Sequence, residues 1–186
     1  MENDLLLRDA TPMDAPFIAR VVLAGIEKLE IDAEVTDEYQ PILTHLIDIC
    51  RMDDTLYSYR HTRIVETGGQ AVGALIGYDG GQYAAMRAKT FGLVLQTSGL
   101  DLNKNAMETK EGEFYLDSMA ILPEFRGRKS VCNLCVIGWI GRLETVSKPS
   151  LYSLTKTNRI CKSIMKVSAS PSARRCLCLE AGIISW

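Results

Sequence analysis

Glu113, Tyr115 and Asp117 stand two residues apart and run directly towards Pro123-Glu124-Phe125-Arg126-Gly127-Arg128. In an extended segment that spacing puts all three side chains on one strand face. A carboxylate held there could take a proton from an attacking nucleophile. A turn carrying two arginines around a glycine suits an anion, because glycine lets the backbone N–H groups approach a phosphate closely and the arginines add charge. The plain alternatives are a solvated charge at a strand end and a buried strand followed by a basic turn. Cys132-x-x-Cys135 and Cys176-x-Cys178 offer thiolates that could hold zinc, but the second spacing is unusual and no histidine follows His61. His45 falls within a helical pattern and His61 just before a strand, and both read as surface or boundary residues.

The elements that position these groups are legible over the first 128 residues. Leu5 to Arg8 suits an opening strand. Thr11-Pro12-Met13-Asp14 places a cap, a first-turn proline and a first-turn acid in order, so a helix is expected there. Its apolar positions Phe17, Ile18, Val21, Val22 and Ile26 recur at helical spacing. A second helix is expected from Thr36-Asp37-Glu38, with Pro41 in its first turns and Ile42, Leu43, Leu46, Ile47 and Cys50 facing the core. Thr62 to Glu66, a Gly68-Gly69 turn and Ala71 to Tyr78 describe an antiparallel hairpin that Asp79-Gly80-Gly81 closes. Gln82 to Gln96 could form a helix, Thr97 to Gly112 reads as a polar surface loop, and Phe114 to Ile121 is the next strand.

The run from Tyr115 through Met119-Ala120-Ile121 to Arg126-Gly127-Arg128 closely resembles the acetyl-CoA-binding segment of the GNAT superfamily of N-acetyltransferases. There a strand ending in small apolar residues runs into an Arg-Gly-x-Gly-x-Gly turn. The upstream order of strand, two helices, hairpin and strand is similar too, so the resemblance covers the first two thirds of the chain. It implies an α/β (α+β) fold, with a mixed, mostly antiparallel central sheet that is flanked by helices and splays near its fourth strand to admit acetyl-CoA. It also implies that Met119, Ala120, Ile121, Arg126, Gly127, Arg128, Lys129 and Ser130 hold this cosubstrate. The backbone at Met119 and Ile121 would pair with the pantetheine arm. Tyr115 stands where some members carry a carboxylate general base, so Asp117 and Glu113 become the candidates for that role. The implied activity is transfer of an acetyl group to an amine acceptor by direct attack in a ternary complex.

After Arg128 the pattern departs from that family. Residues 1–128 carry 12 Lys and Arg against 21 Asp and Glu, whereas the last 58 residues carry 9 against 2, with five of the six cysteines. The tail Lys129-Ser130-Val131-Cys132 lacks the further glycines and shows no sustained helical or strand period. It reads like coding sequence in a shifted frame. Joining the third base of each codon to the next two makes Met165-Lys166 permit only Glu and Trp139-Ile140 only Asp. Across Thr155 to Ser170 the permitted readings include Lys-Asp-Lys-Pro-Asp-Leu-Gln-Lys-Tyr-Tyr-Glu-Ser-Leu-Gly-Phe, which is similar to the ending of the family. The cysteine pairs are then accidents of the frame.

The totals bound the rest. A chain of 186 residues with 47% apolar content and six prolines suits a single domain, family-like over 1–128 and atypical over 129–186. The acidic start and the lack of any apolar run near the roughly 20 residues of a membrane span point to a cytoplasmic protein with reduced thiols. A net charge of −2 gives no case for nucleic acid. The acceptor amine and the oligomeric state are open, a homodimer included. Two other functions stand beside the enzyme: a catalytically impaired remnant that binds CoA, and a metal-binding module built on the tail cysteines.

Overall fold

The computed structural model describes residues 5–126 and the backbone of Leu151–Leu154. Strands β1 (Leu6–Asp9), β2 (Thr62–Thr67), β3 (Gln70–Asp79), β4 (Glu113–Ile121) and β5 (Leu151–Leu154) lie side by side in that order. The first four are antiparallel and β5 runs parallel to β4. The α-helices among the described residues are α1 (Ala15–Gly25), α2 (Gln40–Arg51) and α3 (Gly80–Ser98). The expected mixed, mostly antiparallel sheet with flanking helices is therefore present.

The main core joins the helices to one face of the sheet. Ile18, Val21 and Leu23 of α1, Ile49 and Cys50 of α2 and Tyr83 of α3 pack with Ile64, Ala74, Ile76, Tyr78, Tyr115 and Ala120 of the strands. The opposite alternation gathers Val65, Val72, Leu75, Phe114, Met119 and Ile121 into a second cluster. Each fully buried aliphatic side chain contributes about 1.5–3 kcal/mol by leaving water, so these positions hold β3 and β4 firmly.

Several boundaries differ from the sequence expectation. The Thr11 signal opens a short 3-10 turn, Pro12–Asp14, and α1 begins only afterwards. Asp14 accepts from the Thr11 N–H at 2.7 Å and from Arg8 at 2.7 and 2.8 Å, which ties β1 to the helix start. Because α1 ends at Gly25, Ile26 is 47% exposed rather than buried. The Thr36 carbonyl accepts from the Tyr39 and Gln40 N–H groups, so a turn precedes α2 and Pro41 falls in its first turn. In that register Ile49 is buried and Ile42 faces outward. Asp79 does not close a hairpin loop. Its Oδ1 accepts from the Gly81 N–H at 2.7 Å and caps α3, which runs to the left-handed Gly99 at φ 71°. Among the described residues no helix is long and apolar enough to cross a membrane.

Candidate active site

The site is built on an irregularity in β4. Leu75 pairs with Met119 but Gly77 pairs with Leu116, so Ile76 alone lies opposite two residues, Asp117 and Ser118. That is a β-bulge, and it resets the alternation of the strand. Before it, Tyr115 belongs to the helix-facing core and Phe114 and Leu116 to the second cluster; after it, Ala120 faces the helices and Met119 and Ile121 do not. Among the described residues the parallel pairing with β5 covers Glu113 to Leu116.

Asp117 sits in this bulge with both carboxylate oxygens engaged. The Tyr78 hydroxyl donates to Oδ2 at 2.5 Å, and the neighbouring Ser118 hydroxyl donates to Oδ1 at 2.8 Å. Burial pushes the Asp117 carboxyl up to about 6; the two hydroxyl donors pull it back and the negative charge of Glu108 adds to the rise. Ser118 rests against the end of α1, where a Cβ on Gly25 would lie 2.9 Å from its Oγ. Helix and bulge therefore touch through a residue that has no side chain.

Tyrosines surround the carboxyl on the helix side. Tyr78 and Tyr115 pair across β3 and β4 with ring centroids 5.6 Å apart, and Tyr83 of α3 lies 6.1 and 6.3 Å from them. The Tyr115 hydroxyl donates to Glu108 Oε2 at 3.1 Å. Burial raises the Tyr57 hydroxyl well above its ordinary range, and the charges of Asp117 and Glu108 add to this. Burial likewise raises Tyr78, with the Asp117 charge second. The Tyr78 phenol therefore stays protonated at neutral pH and donates to Asp117.

The remaining sequence candidates are placed as follows. Glu113 lies four residues before Asp117, about 13 Å away along a strand. It accepts from the Thr109 hydroxyl at 3.1 Å and the Lys110 N–H at 3.3 Å, bracing the loop that enters β4. The structure does not bring it to Asp117. Met119, Ala120 and Ile121 pair with Leu75, Ala74 and Gly73 on the β3 side. Arg126 folds back, with Nε donating to the Ile121 carbonyl at 3.1 Å and a terminal nitrogen donating to Glu30 at 3.2 Å. That ties the turn after β4 to the segment following α1. Gly127, Arg128, Lys129 and Ser130 lie outside the described residues, as do the tail cysteines and the shifted-frame reading. Among the described residues no group of three or more His, Cys, Asp or Glu side chains could hold a metal ion. His45 is half-buried beside the Leu93 carbonyl at 3.2 Å, and His61 meets the Tyr78 ring edge-on at 6.0 Å.

Sequence reasoning did not single out Tyr78, Tyr57 or Glu108. Tyr78 reads as one more strand residue, and Glu108 falls in a polar loop without periodicity. What joins them to Asp117 is cross-strand register and the path of that loop.

No protein-family model matches the chain, and no curated protein matches it. Solved structures do. One described as an acetyltransferase aligns with a TM-score of 0.62 at 23% identity, covering 80% of this chain and 79% of its own. An N-acetyltransferase from Staphylococcus aureus Mu50 aligns with a TM-score of 0.58 at 22% identity, covering 80% of each chain. The fold is the one that these two acetyltransferase structures share. In this fold β4 carries the bulge at Asp117 and Ser118.

Proposed function

We propose that the protein is a GNAT-type N-acetyltransferase that moves an acetyl group from acetyl-CoA to an amine by direct attack in a ternary complex. The observation that carries this reading is the bulge in β4, which presents a half-buried carboxyl held by Tyr78 and Ser118.

Acetyl-CoA fits the residues present. A strand-like pantetheine arm would lie beside Met119 to Ile121, whose described partners are on the β3 side, and in the sequence Gly127, Arg128, Lys129 and Ser130 follow as pyrophosphate candidates. When bound, acetyl-CoA supplies the activated acetyl thioester. Asp117 supplies the base. At pH 7.5 a carboxyl titrating near 6 is ionised in about thirty molecules for each protonated one. An ammonium acceptor would give one proton to Asp117, directly or through one water; its nitrogen would then form the N–C bond to the acetyl carbon as the C–S bond breaks, and the second proton shed by that nitrogen would protonate the leaving thiolate, so that CoA departs as the free thiol. Carboxylate oxygens offer about four lone-pair sites, and Tyr78 and Ser118 fill two. The others are left for the amine. Tyr115 stands beside Asp117 as a hydroxyl held by Glu108, and Glu113 serves the entry loop rather than the proton transfer.

Location in the cytoplasm belongs to the same proposal, as does the reading of the tail as a frame change, which DNA sequencing with an intact mass tests. The activity is tested in two steps. Acetyl-CoA should raise the melting temperature of the full chain, and an amine panel should then release free CoA. Stabilisation without CoA release makes the protein a binding remnant; no stabilisation removes the acetyl-CoA reading. Asp117→Ala should lower kcat about 100-fold or more, as loss of a general base does.

A further inference from the structure

We propose that Tyr78 is the positioning residue for Asp117, its hydroxyl fixing the Oδ2 edge so that the rest of the carboxylate is presented to the acceptor amine. This rests on the reading of Asp117 as the base.

The geometry distinguishes Tyr78 from an ordinary core tyrosine. Its backbone is held in the middle of the sheet, paired with Tyr115 on β4, and its ring is 98% buried against Tyr83 and Tyr115. A ring so enclosed has two torsions and no freedom to swing, so its hydroxyl is delivered to one point. That point is Asp117 Oδ2 at 2.5 Å, across a bulge that puts an extra residue opposite Ile76. A buried phenol needs a partner, but a backbone carbonyl would satisfy it as well. The sheet instead aims it at the one carboxylate in the bulge. With Ser118 on Oδ1 at 2.8 Å, the carboxylate plane is held at both ends.

Tyr78 also changes the acidity of the group it holds. A donor to the ionised carboxylate favours the charged form, opposing the burial that raises Asp117. Other titratable groups also face this carboxyl: Tyr57 from the segment after α2, Tyr83 from α3, Tyr115 from β4 and Glu108 from the loop before it. His61 lies behind the Tyr78 ring. A pH profile alone does not say which group titrates, so the carboxyl must be observed directly.

The test uses the full chain with 13C-labelled aspartate carboxyls, with the Asp117 signal assigned by its loss in Asp117→Asn. In Tyr78→Phe the Asp117 midpoint should move up by about one unit, the effect of losing one hydrogen bond to a charged group. The acid limb of kcat/KM for acetyl transfer should move with it, while KM for acetyl-CoA stays the same and His61→Gln leaves both in place. An unchanged Asp117 midpoint in folded Tyr78→Phe overturns the proposal. Should that variant not fold, replacing all tyrosines by 3-fluorotyrosine keeps the rings and strengthens the donor; the midpoint must then fall, and no movement overturns the proposal. The titration needs no acetyl-CoA. Absence of acetyl transfer by the wild-type chain refutes the proposed function, whereas an unmoved carboxyl refutes the role of Tyr78.

Discussion

Replacing Asp117 by Asn should make the folded protein more stable at neutral pH, by an amount that vanishes in acid. The folded carboxyl titrates near 6 against an ordinary 3.8, chiefly because burial penalises its charge. The folded state therefore binds the proton more tightly than the unfolded chain between those values. The stability contributed by the neutral form is fully present below about 3.8 and is lost as the pH rises through about 6. A difference of about 2 units, at about 1.4 kcal/mol each, makes the loss about 3 kcal/mol above pH 7. Asn is isosteric with the neutral acid and can accept from Tyr78 while donating to Ser118, so it keeps both contacts without the charge. Urea unfolding of the two proteins should give stabilities within about 0.6 kcal/mol at pH 4 and favour the variant by up to about 3 kcal/mol at pH 7.5. Asp14, which burial raises but the Arg8 and Thr11 hydrogen bonds lower overall, contributes with the opposite sign in acid. It is common to both proteins and cancels in the comparison. A gap independent of pH, or an Asn variant less stable at pH 7.5, would refute the reasoning. The proposed base would then destabilise its own fold, a common cost of function.

Gly80→Ala should lower stability by about 1–3 kcal/mol or more in urea unfolding, because its Cβ would lie 2.1 Å from the Lys110 carbonyl oxygen, a backbone atom of the loop that carries Glu108 and leads to Glu113. In Gly25→Ala the new methyl meets the Ser118 hydroxyl at 2.9 Å and should push it from Asp117, raising the carboxyl midpoint; the double variant with Ser118→Gly should recover most of the lost stability, and simple additivity of the two would count against the contact. Cys50 is fully buried, and burial pushes its thiol far up. Iodoacetamide at pH 8 should leave it unmodified in the folded protein and label it after unfolding, as read by peptide mass mapping.

Much of the fold was legible because its signals are local. The hairpin from Thr62 to Tyr78 announces itself through alternation and Gly68-Gly69, and those glycines do adopt positive φ values of 56° and 79°. The face of α1 follows from Ile18, Val21 and Val22. Errors came where a local signal had two outcomes. Asp79-Gly80-Gly81 serves a turn or a helix cap equally well, and the choice falls to α3 because Tyr83 and Phe91 find the core. Ile42 and Ile49 both fit the pattern of α2, and packing against α1 selects the second.

The sequence by itself determined which residue types could do chemistry: an acid at 117 on a strand, small apolar residues after it, and the run Arg126-Gly127-Arg128. Period and composition carry that information within a few residues of chain. Only the tertiary structure decided that Asp117 stands apart from Glu113, that it is held by Tyr78 from another strand, that Glu108 bonds to Tyr115, and that Arg126 secures Ile121 and Glu30. The reason is physical. A bulge exists only in relation to a partner strand, and the acidity of a carboxyl depends on the dielectric and donors that distant segments bring to it.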